Sequence, residues 1–324
     1  MKQIADLMLG EHFTTFFVIR RKEIKKKKNG DPFLALDFAD ASGHMDAVWW
    51  DFTPDLFGSG DTDRVEVGDV VKVAGSVDEY QGVKQIRVEK IRRAKPEDQV
   101  DMSKLVPVVE TDRQVLWQNF RKMIDSVANP YLLSLLRRLF DDEKLAPKFI
   151  EAPGGKLWHH NYLGGLMEHT LNIATICDRL AKIYPVVDRD LLVAAALVHD
   201  LGKIESYTFG PNFDYTDAGR LVGHIVIGSQ MVAEKINEFP EFPQDLAMKL
   251  QHLILSHQGK LEQASPVEPM TREAFILYYA DEIDSKLNAI DRISKDERPA
   301  GAKWSKFVNL LGRYLYLGEQ QKQS

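Results

Sequence analysis

Apolar residues follow two different periods along the chain. Between residues 12 and 93 they come in short alternating runs. Phe13 to Arg20 is rich in aromatic and β-branched residues, and Asn29-Gly30-Asp31-Pro32 is a turn signal. Leu34, Leu36 and Phe38 then alternate at period two, Ser42-Gly43 marks a turn, and Met45, Ala47 and Trp49 alternate again. Val70 to Val77 and Lys84 to Ile91 read as two more strands, separated by Tyr80-Gln81-Gly82. Five short strands in about 90 residues, without a helical period among them, predict a small closed barrel.

Lys95-Pro96-Glu97-Asp98 is a polar break, after which the period turns helical. Val115, Leu116, Phe120, Ile124 and Val127 fit one face of a helix ended by Asn129-Pro130, and Tyr131 to Phe140 forms another. Ala152-Pro153-Gly154-Gly155 is a loop. From Leu166 onward the chain is nearly all helix, with breaks near Pro185, Gly210-Pro211, Pro240 and Pro266. Asp190 is expected to cap a buried helix, Leu191 to Val198, and Thr271 one from about Arg272 to Ile293. Three regions follow: a barrel over 1–95, a helical linker over 96–155 and an all-α domain over 156–324.

A length of 324 residues suits this division. No apolar run approaches the roughly 18–20 residues of a membrane span. The first ten residues lack a signal-peptide apolar stretch, which points to a cytoplasmic protein. The single cysteine, Cys177, excludes an internal disulfide framework and a cysteine-based metal site, and reads as packing. The net charge of −6 is unevenly placed. Up to Lys95 there are 16 basic and 16 acidic residues, and beyond it 26 and 32. Arg20, Arg21, Lys22 and Lys25 to Lys28 make a local basic patch on a neutral barrel, although such a run is commonly a solvated hairpin tip.

The chemistry lies in six polar residues that interrupt apolar helical stretches: His169, the doublet His199-Asp200, His224, His257 and Asp281. Imidazoles and carboxylates together suit a divalent ion of intermediate hardness. The doublet follows eight apolar residues, Leu191 to Val198, and an ionised aspartate there costs several kcal/mol unless something positive neutralises it. Asp281, after Ala274 to Ala280, poses the same problem, and a shared cation solves both. Any one of these alone is more often a core histidine or a helix cap; their joint arrangement argues otherwise. His252, five residues before His257 and off its helical face, reads as a supporting or surface residue, and Tyr278 and Tyr279 read as core.

The arrangement resembles the HD superfamily of metal-dependent phosphohydrolases. The resemblance rests on Gly164-Gly165-Leu166-Met167-Glu168-His169-Thr170, on Val198-His199-Asp200-Leu201-Gly202-Lys203 and on Ala280-Asp281-Glu282-Ile283-Asp284. It implies one ion on His169, His199, Asp200 and Asp281, and a second on Asp200, His224 and His257, with the aspartate bridging. Trp158-His159-His160-Asn161-Tyr162-Leu163, and Ile254-Leu255-Ser256-His257-Gln258-Gly259 running on to Ser265-Pro266-Val267-Glu268-Pro269-Met270-Thr271, further resemble the YhaM family of 3′-to-5′ exoribonucleases. Some relatives carry a second histidine where this chain has Gln258. The expected fold is therefore multidomain α+β: an N-terminal five-stranded oligonucleotide-binding (OB) barrel followed by an all-α HD-type domain.

The family implies manganese, while the ligands alone would also accept Co, Fe, Zn or Mg. The implied reaction is 3′-to-5′ hydrolysis of single-stranded RNA to nucleoside 5′-monophosphates by a two-metal-activated hydroxide. Single-stranded DNA remains open as a second substrate. In that mechanism Lys203 neutralises the phosphoryl oxygens, and His160 contacts the phosphate or protonates the leaving group. The barrel would grip the strand through Phe33, Trp49, Trp50 and Tyr80, with Arg20, Arg21, Lys25 and Lys26 on the backbone. Trp49 and Trp50 cannot both face outward on one regular strand. Two alternatives stay open: an HD-type nucleotide phosphohydrolase or cyclic-nucleotide phosphodiesterase, and a non-catalytic nucleic-acid-binding adaptor with a structural metal. Assembly into a homo-oligomer is compatible with the sequence.

Overall fold

Period-two alternation becomes a barrel because every second side chain of a strand points inward. In the computed structural model, which describes residues 1–52, 65–80, 82–155, 158–208, 213–296 and 301–319, five strands do this. They are β1 (His12–Lys26), β2 (Pro32–Asp40), β3 (Gly43–Trp49), β4 (Val70–Tyr80) and β5 (Val83–Arg93). They close in the order β1-β2-β3-β5-β4, antiparallel except for a short parallel contact between β3 and β5. Phe17, Ile19, Leu34, Phe38, Val73 and Ile86 fill the interior. β1 outruns the expected Phe13–Arg20 stretch. After a register shift at Arg20 it stays paired to β2, with Lys25 opposite Phe33 and Lys26 opposite Pro32. Asn29-Gly30 turns this hairpin, and Gly30 takes a φ of 92° that favours glycine.

The helices are α1 (Arg113–Asp125), α2 (Pro130–Phe140), α3 (Leu145–Glu151), α4 (Gly165–Ile183), α5 (Arg189–Val198), α6 (Lys203–Ser206), α7 (Asp217–Leu221), α8 (His224–Asn237), α9 (Gln244–Ser256) and α10 (Arg272–Asp296). α5 is the axis. All eight residues from Leu191 to Val198 are buried, as an apolar helix requires, and α2, α4, α9 and α10 pack around it. Phe120, Phe140 and Phe149 form a second nucleus, with ring centroids 4.7 to 5.0 Å apart. After α10, residues 301–319 form a small hairpin bridged at Trp304–Tyr316 and Val308–Arg313.

Met1–Val108 with Thr208–Asp214 form one compact unit, and Val109–Tyr207 with Tyr215–Ser324 the other. Among the described residues no helix is long and apolar enough to cross a membrane.

Four local expectations are corrected. Asp188, not Asp190, caps α5, accepting from the Leu191 amide at 3.0 Å. The Asp190 carboxylate instead accepts from the amides of Ala128 and Asn129. Asn129-Pro130 begins a helix rather than ending one: Asn129 caps α2 and proline occupies its first position, where no amide hydrogen is needed. Val115 and Tyr279 are exposed, so neither belongs to the core. Thr271 does cap α10, accepting from the Ala274 amide at 3.2 Å. The break expected at Gly210-Pro211 and the turn residue Gln81 lie outside the described residues.

Truncating Phe120 to alanine removes a fully buried ring from the three-phenylalanine nucleus. Urea unfolding is expected to show a loss of about 3–5 kcal/mol.

Candidate metal centre

Five helices of the helical unit, or the turns that follow them, bring polar side chains to one point. His169 lies in the second turn of α4. His199 follows the last residue of α5, and Asp200 opens the turn into α6, which starts at Lys203. His224 is the first residue of α8, His257 follows α9, and Asp281 sits midway along α10. Close approach is built in by glycine. A Cβ on Gly202 would stand 2.0 Å from the His224 carbonyl oxygen, and one on Gly165 would stand 2.2 Å from that of His160.

The imidazoles converge on one carboxylate. The Nε2 atoms of His169 and His199 lie 3.3 and 3.4 Å from Asp200 Oδ2. Those of His224 and His257 lie 3.3 and 3.5 Å from Asp200 Oδ1. His169 Nε2 is also 3.3 Å from Asp281 Oδ1. The opposite ring nitrogens are anchored: His199 Nδ1 donates to the Ala196 carbonyl at 2.8 Å, and His257 Nδ1 to that of Ile254 at 2.7 Å. A carbonyl only accepts, so each Nδ1 carries a hydrogen and each Nε2 is left facing Asp200. His169 Nδ1 faces Asp284 Oδ2 at 2.7 Å.

Burial alone would raise the Asp200 pKa. The positive charge of Lys203 beside it, with the surrounding imidazoles, holds it well below the usual carboxylate range. Burial likewise disfavours charge on His169, but Asp200, Asp281 and Asp284 raise its pKa well above the usual imidazole value. His257 is raised by Asp200 against the same burial, whereas burial lowers His224. Burial would raise Asp281 and Asp284 as well, but His169 holds the first far down, and His160 with His169 the second.

A divalent ion fits this set. His169 Nε2, His199 Nε2, His224 Nε2 and Asp200 Oδ1 are all buried without a hydrogen-bond partner, an arrangement that costs free energy unless a cation is shared among them. Potential ligand atoms of His169, His199 and Asp281, and of His199, Asp200 and His257, lie within 4.8 Å of one another.

Lys203 is buried against this centre rather than solvated, with Nζ 2.6 Å from Asp200 Oδ2 and donating to the Gly154 carbonyl. His160 does not open toward the centre. Its Nε2 is 2.8 Å from Asp284 Oδ2 and its Nδ1 2.8 Å from the Tyr162 hydroxyl, so both ring nitrogens are taken and a direct reach to phosphate is not available. Its neighbour His159 lies as near to His169 with its ring nitrogens uncommitted. The His159 ring stands 5.1 Å from that of His169, and both its nitrogens are buried without hydrogen-bond partners. Burial and the charges of Lys203 and His169 hold it neutral.

Asp284 and Glu168 are the other members that sequence reasoning passed over. Asp284 ties His169 to His160, and Glu168 receives hydrogen bonds from His160 and Tyr162. Both stood in the quoted motifs, and Asp284, one helical turn after Asp281, faces the same side. His252 accepts from the Met270 amide at 3.0 Å and serves structure. Cys177 is buried, which pushes its thiol up.

On the barrel, the predicted strand-gripping residues separate. Trp49 packs against the core, while Trp50 is exposed and stacks on Phe33 at 4.7 Å. Lys25, opposite Phe33, is exposed and pairs with Glu23, and Arg21 pairs with Asp46. Arg20 and Lys26 are exposed nearby on β1. Tyr80 is exposed at the end of the β4–β5 hairpin and does not stack with the Phe33–Trp50 pair.

Residues 166–286 match the HD domain family, and residues 18–94 match the OB-fold nucleic acid binding domain family. The chain joins an OB fold to an HD domain. Among solved structures, it is similar to the second OB-fold domain of replication protein A from Methanococcus maripaludis, at 21% identity over 29% of this chain and 94% of that one, with a TM-score of 0.23. It is also similar to the HD domain of the L. monocytogenes phosphodiesterase PgpH, at 16% identity over 45% of this chain and 74% of that one, with a TM-score of 0.29. TM-scores this low lend the functional reading no weight.

Two outcomes follow for metal binding. Asp284→Asn keeps the shape but loses the charge that orients His169, and calorimetry should show divalent-ion affinity lowered about 10- to 100-fold. A His169 pKa raised above 6.5 keeps its proton through neutrality and loses it as pH climbs. An ion must displace that proton, so Mn²⁺ affinity should rise between about pH 6 and about pH 8, with protons released to the buffer.

Proposed function

We propose that this chain is a metal-dependent phosphodiesterase that trims single-stranded nucleic acid, acting as a 3′-to-5′ exoribonuclease that releases nucleoside 5′-monophosphates. The observation that carries the chemistry is the convergence of four imidazole Nε2 atoms on the buried Asp200 carboxylate. His169, His199, Asp200 and Asp281 would hold one ion, and Asp200, His224 and His257 a second; manganese is the ion we favour. Bound there, divalent ions supply Lewis acidity and a nucleophile at neutral pH.

The protein's own residues divide the remaining work. Lys203 balances Asp200 and adds positive potential where phosphoryl oxygens gather charge. His159, neutral and with both nitrogens uncommitted, offers an N–H to a phosphate oxygen, the role first expected of His160. His160, Asp284 and Glu168 fix the ring of His169 from behind. On the barrel, the exposed Trp50, packed against the half-buried Phe33 beside Lys25, suits a single strand, whose bases stack on aromatics while cations track the phosphates.

End-labelled single-stranded RNA and DNA, incubated with Mn²⁺ or EDTA, test the reading. Stepwise loss from the 3′ end, abolished by EDTA and by Asp200→Ala, is the expected result, and RNA should be degraded faster than DNA. No degradation of either strand by metal-loaded protein contradicts it and directs attention to mononucleotides. Phe33→Ala and Trp50→Ala should each weaken strand binding by about 1–3 kcal/mol, roughly 5- to 150-fold, measured by anisotropy.

A further inference from the structure

We propose that the cleft between the end of α10 and the C-terminal hairpin is a nucleotide subsite, taking a base and phosphate of the strand whose end lies at the metal centre. The inference rests on the phosphodiesterase reading above and adds a place for the substrate beyond the reacting bond. The cleft has a volume of about 330 Å³ and is lined by Trp158, Arg292, Ile293, Lys306, Phe307 and Asn309. That size is at the lower end of small-molecule sites, suited to one nucleotide and too small for a folded partner.

Its lining matches a nucleotide part by part. Trp158 and Phe307 offer aromatic faces on which any base can stack. Arg292 and Lys306 bring cationic groups suited to a phosphate, and Asn309 carries an amide that both donates and accepts, as a base edge requires. A purely apolar ligand would leave the Lys306 ammonium and the Asn309 amide without use.

The location ties the cleft to the chemistry. Trp158 lines it, and the next residue, His159, places its ring 5.1 Å from that of His169. α10 carries Asp284 at the metal centre and Arg292 at the cleft, eight residues apart, or about 12 Å along the helix axis. One loop and one helix thus hold both places in fixed relation.

The hairpin presents these groups on an ordered backbone. Phe307 is 49% exposed, yet its chain is ordered by the Val308–Arg313 and Trp304–Tyr316 bridges and by Ser305 Oγ, which accepts from the Leu315 amide at 2.9 Å. Phe307 and Tyr314 pack edge to face at 5.2 Å. The segment carries Lys303, Lys306 and Arg313 against Glu319 within a part of the chain that is acidic as a whole. A cationic, aromatic surface set in an acidic background attracts a polyanion locally.

Binding can be read apart from cleavage, as the anisotropy of a 5′-labelled octaribonucleotide in EDTA, with the full chain and with Phe307→Ala, Lys306→Glu and Phe307→Trp. The first two variants should bind at least about fivefold more weakly, and Phe307→Trp should bind like the parent. Melting temperatures matching the parent would show that the fold is kept. Affinities within twofold of the parent for both Phe307→Ala and Lys306→Glu would overturn the subsite. So would a Phe307→Trp variant as weak as Phe307→Ala, because packing rather than stacking would then be at stake. Weakened variants of a parent that binds the strand but never degrades it with Mn²⁺ would sustain the subsite and overturn the nuclease reading. Degradation by the parent with unaltered binding in the variants would do the reverse.

Discussion

Everything in the helical unit is arranged around one buried negative charge. Asp200 is 2% exposed, at the end of a helix whose eight preceding residues are all buried and apolar. Leaving such a charge uncompensated costs on the order of 3–5 kcal/mol. Lys203 answers it directly at 2.6 Å, and four imidazoles aim a nitrogen at the same two oxygens. One ammonium cannot satisfy so many buried nitrogens, which have lone pairs or protons of their own to place. A shared dication can, since it accepts several lone pairs at once and displaces the proton of His169 to solvent.

The backbone enforces this convergence more than side-chain packing does. His199 and His257 each sit just past a helix C-terminus, where the carbonyl three residues back is free to fix Nδ1. The same helix-end chemistry therefore sets both tautomers. Gly202 lets the turn after Asp200 touch the start of α8, which brings His224 to the opposite oxygen. On the other side the acids of α10 act in sequence: Asp281 faces His169 Nε2, and Asp284, one turn on, faces Nδ1.

Much of this was legible in the chain itself, for a physical reason. Polar residues inside apolar helical runs stand out in any local window, and His169, His199, Asp200, His224, His257 and Asp281 all do. Strand alternation told the barrel apart equally well, and it required that Trp49 and Trp50 face opposite ways; only packing could say that Trp49 turns inward. The misreadings share a different cause, adjacency. Asp188 and Asp190 both precede α5, and a shift of two residues decides which one caps. His159 and His160 are neighbours in a loop without a period, so nothing local could tell which would have its ring nitrogens taken by Asp284 and Tyr162. Asn129-Pro130 signals a helix boundary without saying on which side the helix lies. The C-terminal hairpin has no periodic signal, and its Phe307 lines a cleft with Trp158 only through the tertiary fold.

The most direct measurement is the anomalous diffraction of crystals grown with Mn²⁺. Two peaks flanking the Asp200 carboxylate are predicted, one beside His169, His199 and Asp281 and the other beside His224 and His257. Peaks elsewhere, or none at Asp200 with Lys203 as its sole cation, would contradict the account.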